Sequence, residues 1–122
     1  MPSLYKIAYY YKNKYHLKTK IDIVKDYTVT NYKPSIDSIC ISREYIHQRQ
    51  KEKAFIGRIK TKDINILLVF SLLHELKHAI DFTKNYDYNI QLFHNSLDLC
   101  HSKRPQEIEA DNFARQELKT WL

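Results

Sequence analysis

His74-Glu75-Leu76-Lys77-His78 is the segment best suited to chemistry. On a helix, residues four apart share one face, about 5–6 Å between Cβ atoms, so His74 and His78 can hold one metal ion between their imidazoles. Glu75 lies about 100° around the helix from His74 and borders such an ion without ligating it. Zinc with two histidine ligands needs a third protein ligand and keeps one position for water. The bound ion lowers the pKa of that water to about 7, and a neighbouring carboxylate can take its proton. The third ligand must come from elsewhere, and Glu107-Ile108-Glu109-Ala110-Asp111-Asn112-Phe113-Ala114 is the candidate segment. Glu107 follows His78 at a distance that leaves room for a loop and a returning helix. Asp111, one turn after Glu107, can accept the free ring N–H of a ligand histidine and fix its tautomer. Glu109 competes for the ligand role, but it sits about 200° around the helix from Glu107, so the two do not face the same ion. An acid just after Pro105 also suits a helix N-terminus, a role compatible with ligation.

Hydrolysis of a peptide bond at such a site also requires a group that stabilises the developing oxyanion. Between the two motifs stand Tyr86, Tyr88, His94, His101 and Arg104, and His101 is the first choice. Cys100, His101 and His94 lack the partner pair that a second metal site would need.

The motifs need elements to position them. Ile64 to Leu73 is apolar around nearly the whole helical circumference, so Asp63 to Phe82 reads as a central buried helix. Pro105 suits the first turn of a final helix carrying Ile108, Phe113, Ala114, Leu118 and Trp121. Ala110 and Ala114 are small enough to let that helix approach the central one closely. Upstream, Leu17, Thr19, Ile21 and Ile23 alternate with polar residues as in a half-buried strand. Tyr27 to Tyr32 and Ile36 to Ser42 are two further strand candidates, separated by Lys33-Pro34-Ser35. Leu4 to Tyr15 fits either period: its tyrosines favour a strand, while Leu4, Ile7, Ala8, Tyr11 and Tyr15 line one helical face that Ser3 could cap. The strand is the preferred reading. Ser42 can cap a short exposed helix from Arg43 to Lys53. Phe55 to Lys60 reads as a connector or short strand, Lys84 to Asn89 as a loop, and Ile90 to His101 has mixed helical character.

HELKH followed by EIEADNFARQEL resembles the gluzincin pattern, HExxH then ExxxD, whose best-known member is thermolysin. It is more similar still to the small ImmA/IrrE-type metallopeptidases, with HExxH and a later ExxA(N/D)xFAxxLL. The resemblance covers Leu72 to Leu118. It implies that His74, His78 and Glu107 bind zinc, that Glu75 is the general base, and that Asp111 partners a ligand histidine. It also implies a regulatory protein as substrate. The chain departs from that pattern at Lys77, where the group often has glycine, and it lacks the usual proline after the last helix. A separate helix-turn-helix domain does not fit within 122 residues. The fold implied is α+β, a minimal zincin-like domain over residues 1–122. A small antiparallel-containing sheet packs on the buried HExxH helix, and the C-terminal helix supplies the third ligand.

Composition removes several other classes. The only glycine is Gly57, so the phosphate-cradling loops, which need several, are excluded. Two cysteines, Cys40 and Cys100, make no disulfide framework. The longest apolar run is too short to cross a bilayer, and no signal-peptide pattern opens the chain. An intracellular, cytoplasmic protein is expected. The net charge is +6. A lysine-rich solvated surface accounts for it, and so would an acidic partner such as nucleic acid. The expected activity is zinc-dependent peptide hydrolysis by zinc-activated water, with a peptide or protein substrate held in extended form along an edge strand, Ile36 to Ser42. The rival expectation is a catalytically weak or inactive zincin fold serving as a basic nucleic-acid- or protein-binding module.

Overall fold

A computed structural model describes residues 1–122. The first element is a helix, α1, Leu4–Tyr15. This corrects the strand preferred from the tyrosine alternation. A strand would have turned Tyr5, Ile7, Tyr9 and Tyr11 to one face, but Tyr5 and Tyr9 are exposed while Leu4, Ile7, Ala8 and Tyr11 are buried. The helical period buries more apolar surface, and local signals support it. Ser3 Oγ accepts from Lys6 N–H at the start, and His16 adopts a left-handed conformation at the end.

Three strands follow: β1 Lys20–Val24, β2 Asn31–Lys33 and β3 Ser38–Ser42. The sheet order is β1-β3-β2, with β1 parallel and β2 antiparallel to β3. The sheet contradicts one expectation: β3 is the central strand and no edge. Its Ile39 and Ile41 are fully buried, which suits a strand paired on both sides. The sheet's edges are β1 and, on the other side, β2. β2 is shorter than Tyr27 to Tyr32 because the preceding residues are tied to Ser42 instead. Ser42 Oγ donates to the Asp26 carbonyl and accepts from Thr28 N–H, while Thr30 Oγ1 accepts from Ser42 N–H. Ser42 also caps α2, Arg43–Lys51, by accepting from Tyr45 N–H.

Helix α3, Ile64–Lys84, is the central element, capped by Asp63 and carrying eleven buried residues from Leu67 to Ile80. It contacts α1, α2, the sheet, α4 and above all α5. α4, Tyr86–Asn95, replaces the loop expected at 84–89, because Asn85 Oδ1 accepts from Tyr88 N–H and starts a helix there. α5, Pro105–Trp121, opens on its proline and lies against α3 through Ala110 and Ala114, both fully buried. Its far end is joined to α1: Tyr11 Oη donates to Glu117 and accepts from Trp121 Nε1. No helix is long and apolar enough to cross a membrane.

Because the α3–α5 approach depends on two methyl side chains, Ala110→Leu is expected to overpack it. Denaturant unfolding should show a loss of about 1–3 kcal/mol. Unchanged stability would mean that the two helices are not in close contact at Ala110.

Candidate metal centre

The centre starts from the last buried turns of α3. His74 is 4% exposed, so its imidazole needs partners within the protein. It has them on both sides. Nδ1 lies 2.7 Å from Asp111 Oδ1 and Nε2 lies 2.9 Å from Glu107 Oε1. His78, one turn on, brings its Nε2 to 3.2 Å from His74 Nε2 and 3.1 Å from the same Glu107 oxygen. Two nitrogens and one oxygen thus form a triangle with edges of 2.9, 3.1 and 3.2 Å.

That triangle has the size of a metal site. Ligand atoms about 2.0–2.2 Å from a tetrahedral ion stand roughly 3.3–3.6 Å from one another, within a few tenths of an ångström of these edges. Hydrogen bonding alone explains it poorly. With both Nε2 atoms protonated toward Glu107, two N–H groups would crowd each other over a single acceptor. His74, His78 and Glu107 can hold a metal ion. No second group of three metal-ligating side chains assembles elsewhere, so His94 and Cys100 form no such site with His101.

Glu75 borders the triangle, its Oε2 3.9 Å from His74 Nε2. Burial pushes its carboxyl above the usual range; His74, His78 and the backbone N–H of Tyr32 in β2 act against that shift. His101, in the 3-10 turn His101–Lys103 before α5, places Nε2 3.2 Å from Glu107 Oε1 while its side chain stays 69% exposed. Glu109 stays exposed. The site opens into a cleft of about 650 Å³, whose walls include Tyr32 of β2, Tyr45 of α2, Phe82 of α3 and Phe93 of α4.

Arg58 is the site residue that the sequence reading missed. Its Nε and Nη2 donate to the two oxygens of Asp111 at 2.9 and 2.8 Å, and Nη2 lies 3.5 Å from His74 Nδ1. The guanidinium is packed on the rings of Phe55 and Phe70. It comes from the 55–60 connector, where Gly57 takes φ +84°, a conformation that strains any residue with a Cβ. The one signal in the sequence was that glycine, immediately before an arginine. Asp111 Oδ1 therefore accepts from both Arg58 and His74. Burial disfavours the Asp111 charge, but Arg58 and His74 outweigh it and hold the carboxyl down to about 2. Burial likewise opposes a charge on His74, yet its bonds to Asp111 and Glu107 raise its pKa to about 9 in the metal-free site. Glu107 is held well below the carboxylate range by His101, His74 and His78, against the opposing effect of burial.

No protein-family profile matches the chain, and neither does a curated protein or a solved structure. The reading of the centre therefore rests on its own geometry.

Two outcomes follow from that geometry. Arg58→Gln leaves Asp111 unanchored and should weaken zinc binding about 10–100-fold in a competition titration; unchanged affinity would remove Arg58 from the site. The second concerns pH. Metal-free, the raised His74 pKa stabilises the fold fully below its unfolded value near 6.5, and this contribution is lost as pH rises through about 9. Thermal midpoints in chelator should fall across that window. Added zinc should offset the fall, because ligation needs the neutral ring.

Proposed function

We propose that this chain is a zinc-dependent peptidase. The observation that carries the reading is the convergence of His74, His78 and Glu107 on one point beside the buried carboxyl of Glu75. Two imidazoles and one carboxylate, with a position left open to a cleft, are the donors typical of catalytic zinc. An ion held there would polarise a peptide carbonyl and acidify water.

The chain's own groups supply the remaining steps. Glu75 Oε2 takes the proton from the attacking water and later delivers it to the leaving amine. Its raised pKa brings it closer to the pH at which one group can do both. Asp111 holds the Nδ1 proton of His74, leaving the Nε2 lone pair free for the ion. His101, beside Glu107 and reaching into the cleft, is placed to donate to the developing oxyanion. The edge strand β2, with Tyr32 on the cleft wall, takes the substrate-holding role in place of Ile36 to Ser42.

The test joins metal content to turnover. Wild-type protein should purify with, or take up, about one zinc per chain and cleave peptides. Glu75→Gln should keep the zinc and lose roughly two to four powers of ten in kcat. His74→Ala should lose both. A wild-type protein that neither contains nor binds zinc would sink the proposal.

A further inference from the structure

The same cleft carries three arginines, and they are not equivalent. Arg58 is neutralised by Asp111, and Arg49 lies 3.1 Å from Glu52. Arg104 has no carboxylate partner. Its only side-chain hydrogen bond runs from Nε to the Leu99 carbonyl at 3.3 Å, which leaves both Nη groups unpaired. The guanidinium lies over the ring of Phe93, 5.8 Å from its centroid. It is thus fixed at its inner edge and supported on one face, with its donor fork free.

Its position along the chain matters as much. His101, Arg104 and Glu107 are spaced by three and linked through the backbone: Arg104 N–H donates to the His101 carbonyl at 3.2 Å and Glu107 N–H to the Arg104 carbonyl at 3.0 Å, with Arg104 as the extended residue between the turn and α5. All three line the cleft. Arg104 therefore stands one step from the residue that completes the metal triangle. The wall beside it is apolar: Phe82, Ile90 and Phe93 face the same cleft, and α4 has no buried residue to hold it elsewhere in the core. The cleft's only acids are Glu75 and Glu107, and both belong to the metal centre.

We infer that Arg104, supported on Phe93, is a specificity-determining subsite for a carboxylate, so that the cleft selects peptides bearing an acidic group next to an apolar side chain. The inference rests on the peptidase reading for its substrate class, although the subsite itself requires no metal. A planar, permanently charged fork with two free nitrogens matches a carboxylate in bidentate geometry. The carboxylate can come from an Asp or Glu side chain or from a chain end, and both sources present the same two oxygens. In either case Arg104 binds the substrate and takes no part in proton transfer.

Four probes separate these possibilities: acetyl-Phe-Asp-amide, acetyl-Phe-Asn-amide, acetyl-Phe-Ala as the free acid, and acetyl-Phe-Ala-amide. Each is titrated calorimetrically into the full chain, with zinc and again with chelator, so that a carboxylate bound to metal is recognised by its loss. Both acids are expected to bind about ten-fold tighter than their amides in either condition. Preference for Asp over the terminal acid assigns the source to a side chain, and the reverse assigns it to a chain end. Arg104→Gln should abolish the discrimination and Arg104→Lys should keep part of it, with circular dichroism confirming that both variants fold. In turnover, Arg104→Gln should raise KM for acidic peptides and leave kcat in place. A fall in kcat for every peptide would instead make Arg104 an oxyanion donor and overturn the inference. So would equal binding of acids and amides, or discrimination that survives Arg104→Gln. Discrimination without any turnover would sink the peptidase reading and leave the subsite standing; turnover without discrimination would do the opposite.

Discussion

A buried imidazole with carboxylates on both sides governs this structure. His74 lies deep in α3, and each of its ring nitrogens is met by an acid from α5. If α5 moved away, two polar nitrogens would be stranded in the interior, at roughly 1–3 kcal/mol for each lost partner. The close approach of the two helices, the alanines that permit it and the Tyr11–Glu117–Trp121 link that holds the far end of α5 all serve that one contact. The buried acids need compensation in turn. Arg58 supplies it for Asp111 from a connector that belongs to neither helix.

The centre was largely legible in the sequence, and the scaffold was less so. HExxH on an apolar helix is a pattern of local spacing, and spacing survives folding, so His74, Glu75 and His78 could be placed on one element. Glu107 and Asp111 were legible because i and i+4 share a face whatever the helix packs against. Arg58 was not, since nothing local links it to Asp111; only the tertiary fold brings them together. α1 was misread because alternating tyrosines mimic a strand whose inner face would be aromatic. Its true buried face is mostly aliphatic, with only Tyr11 drawn inside to reach Glu117 and Trp121. β3 lies between β1 and β2 and not at an edge, because strand order is not encoded in one strand's pattern. α4 was missed at its start because a single cap, Asn85, decides it.

The two walls of the cleft differ in how firmly they are built. One is made by α3, β2 and α2, which share a core with the sheet and α1. The other is α4 and the turn before α5, where no residue of α4 is buried and Phe93 is exposed. Elements with few buried contacts lie at the low end of local stability. Whatever occupies the cleft therefore meets a fixed wall bearing the His74–His78–Glu107 triangle on one side and an adaptable apolar wall on the other.

The donors of the metal triangle come from α3 and α5, separated by α4, and the anchoring arginine precedes them both. During synthesis the chain emerges in sequence order, while a domain folds as a unit. Arg58, His74 and His78 are thus all made while the oxygen donor is still missing. Between His78 and Glu107, about a quarter of the 122 residues, the nascent polypeptide carries the two nitrogens alone. Competence arrives only once α5 has docked. The order in which the residues lie along the chain leaves the three-donor site incomplete until the last helix is in place.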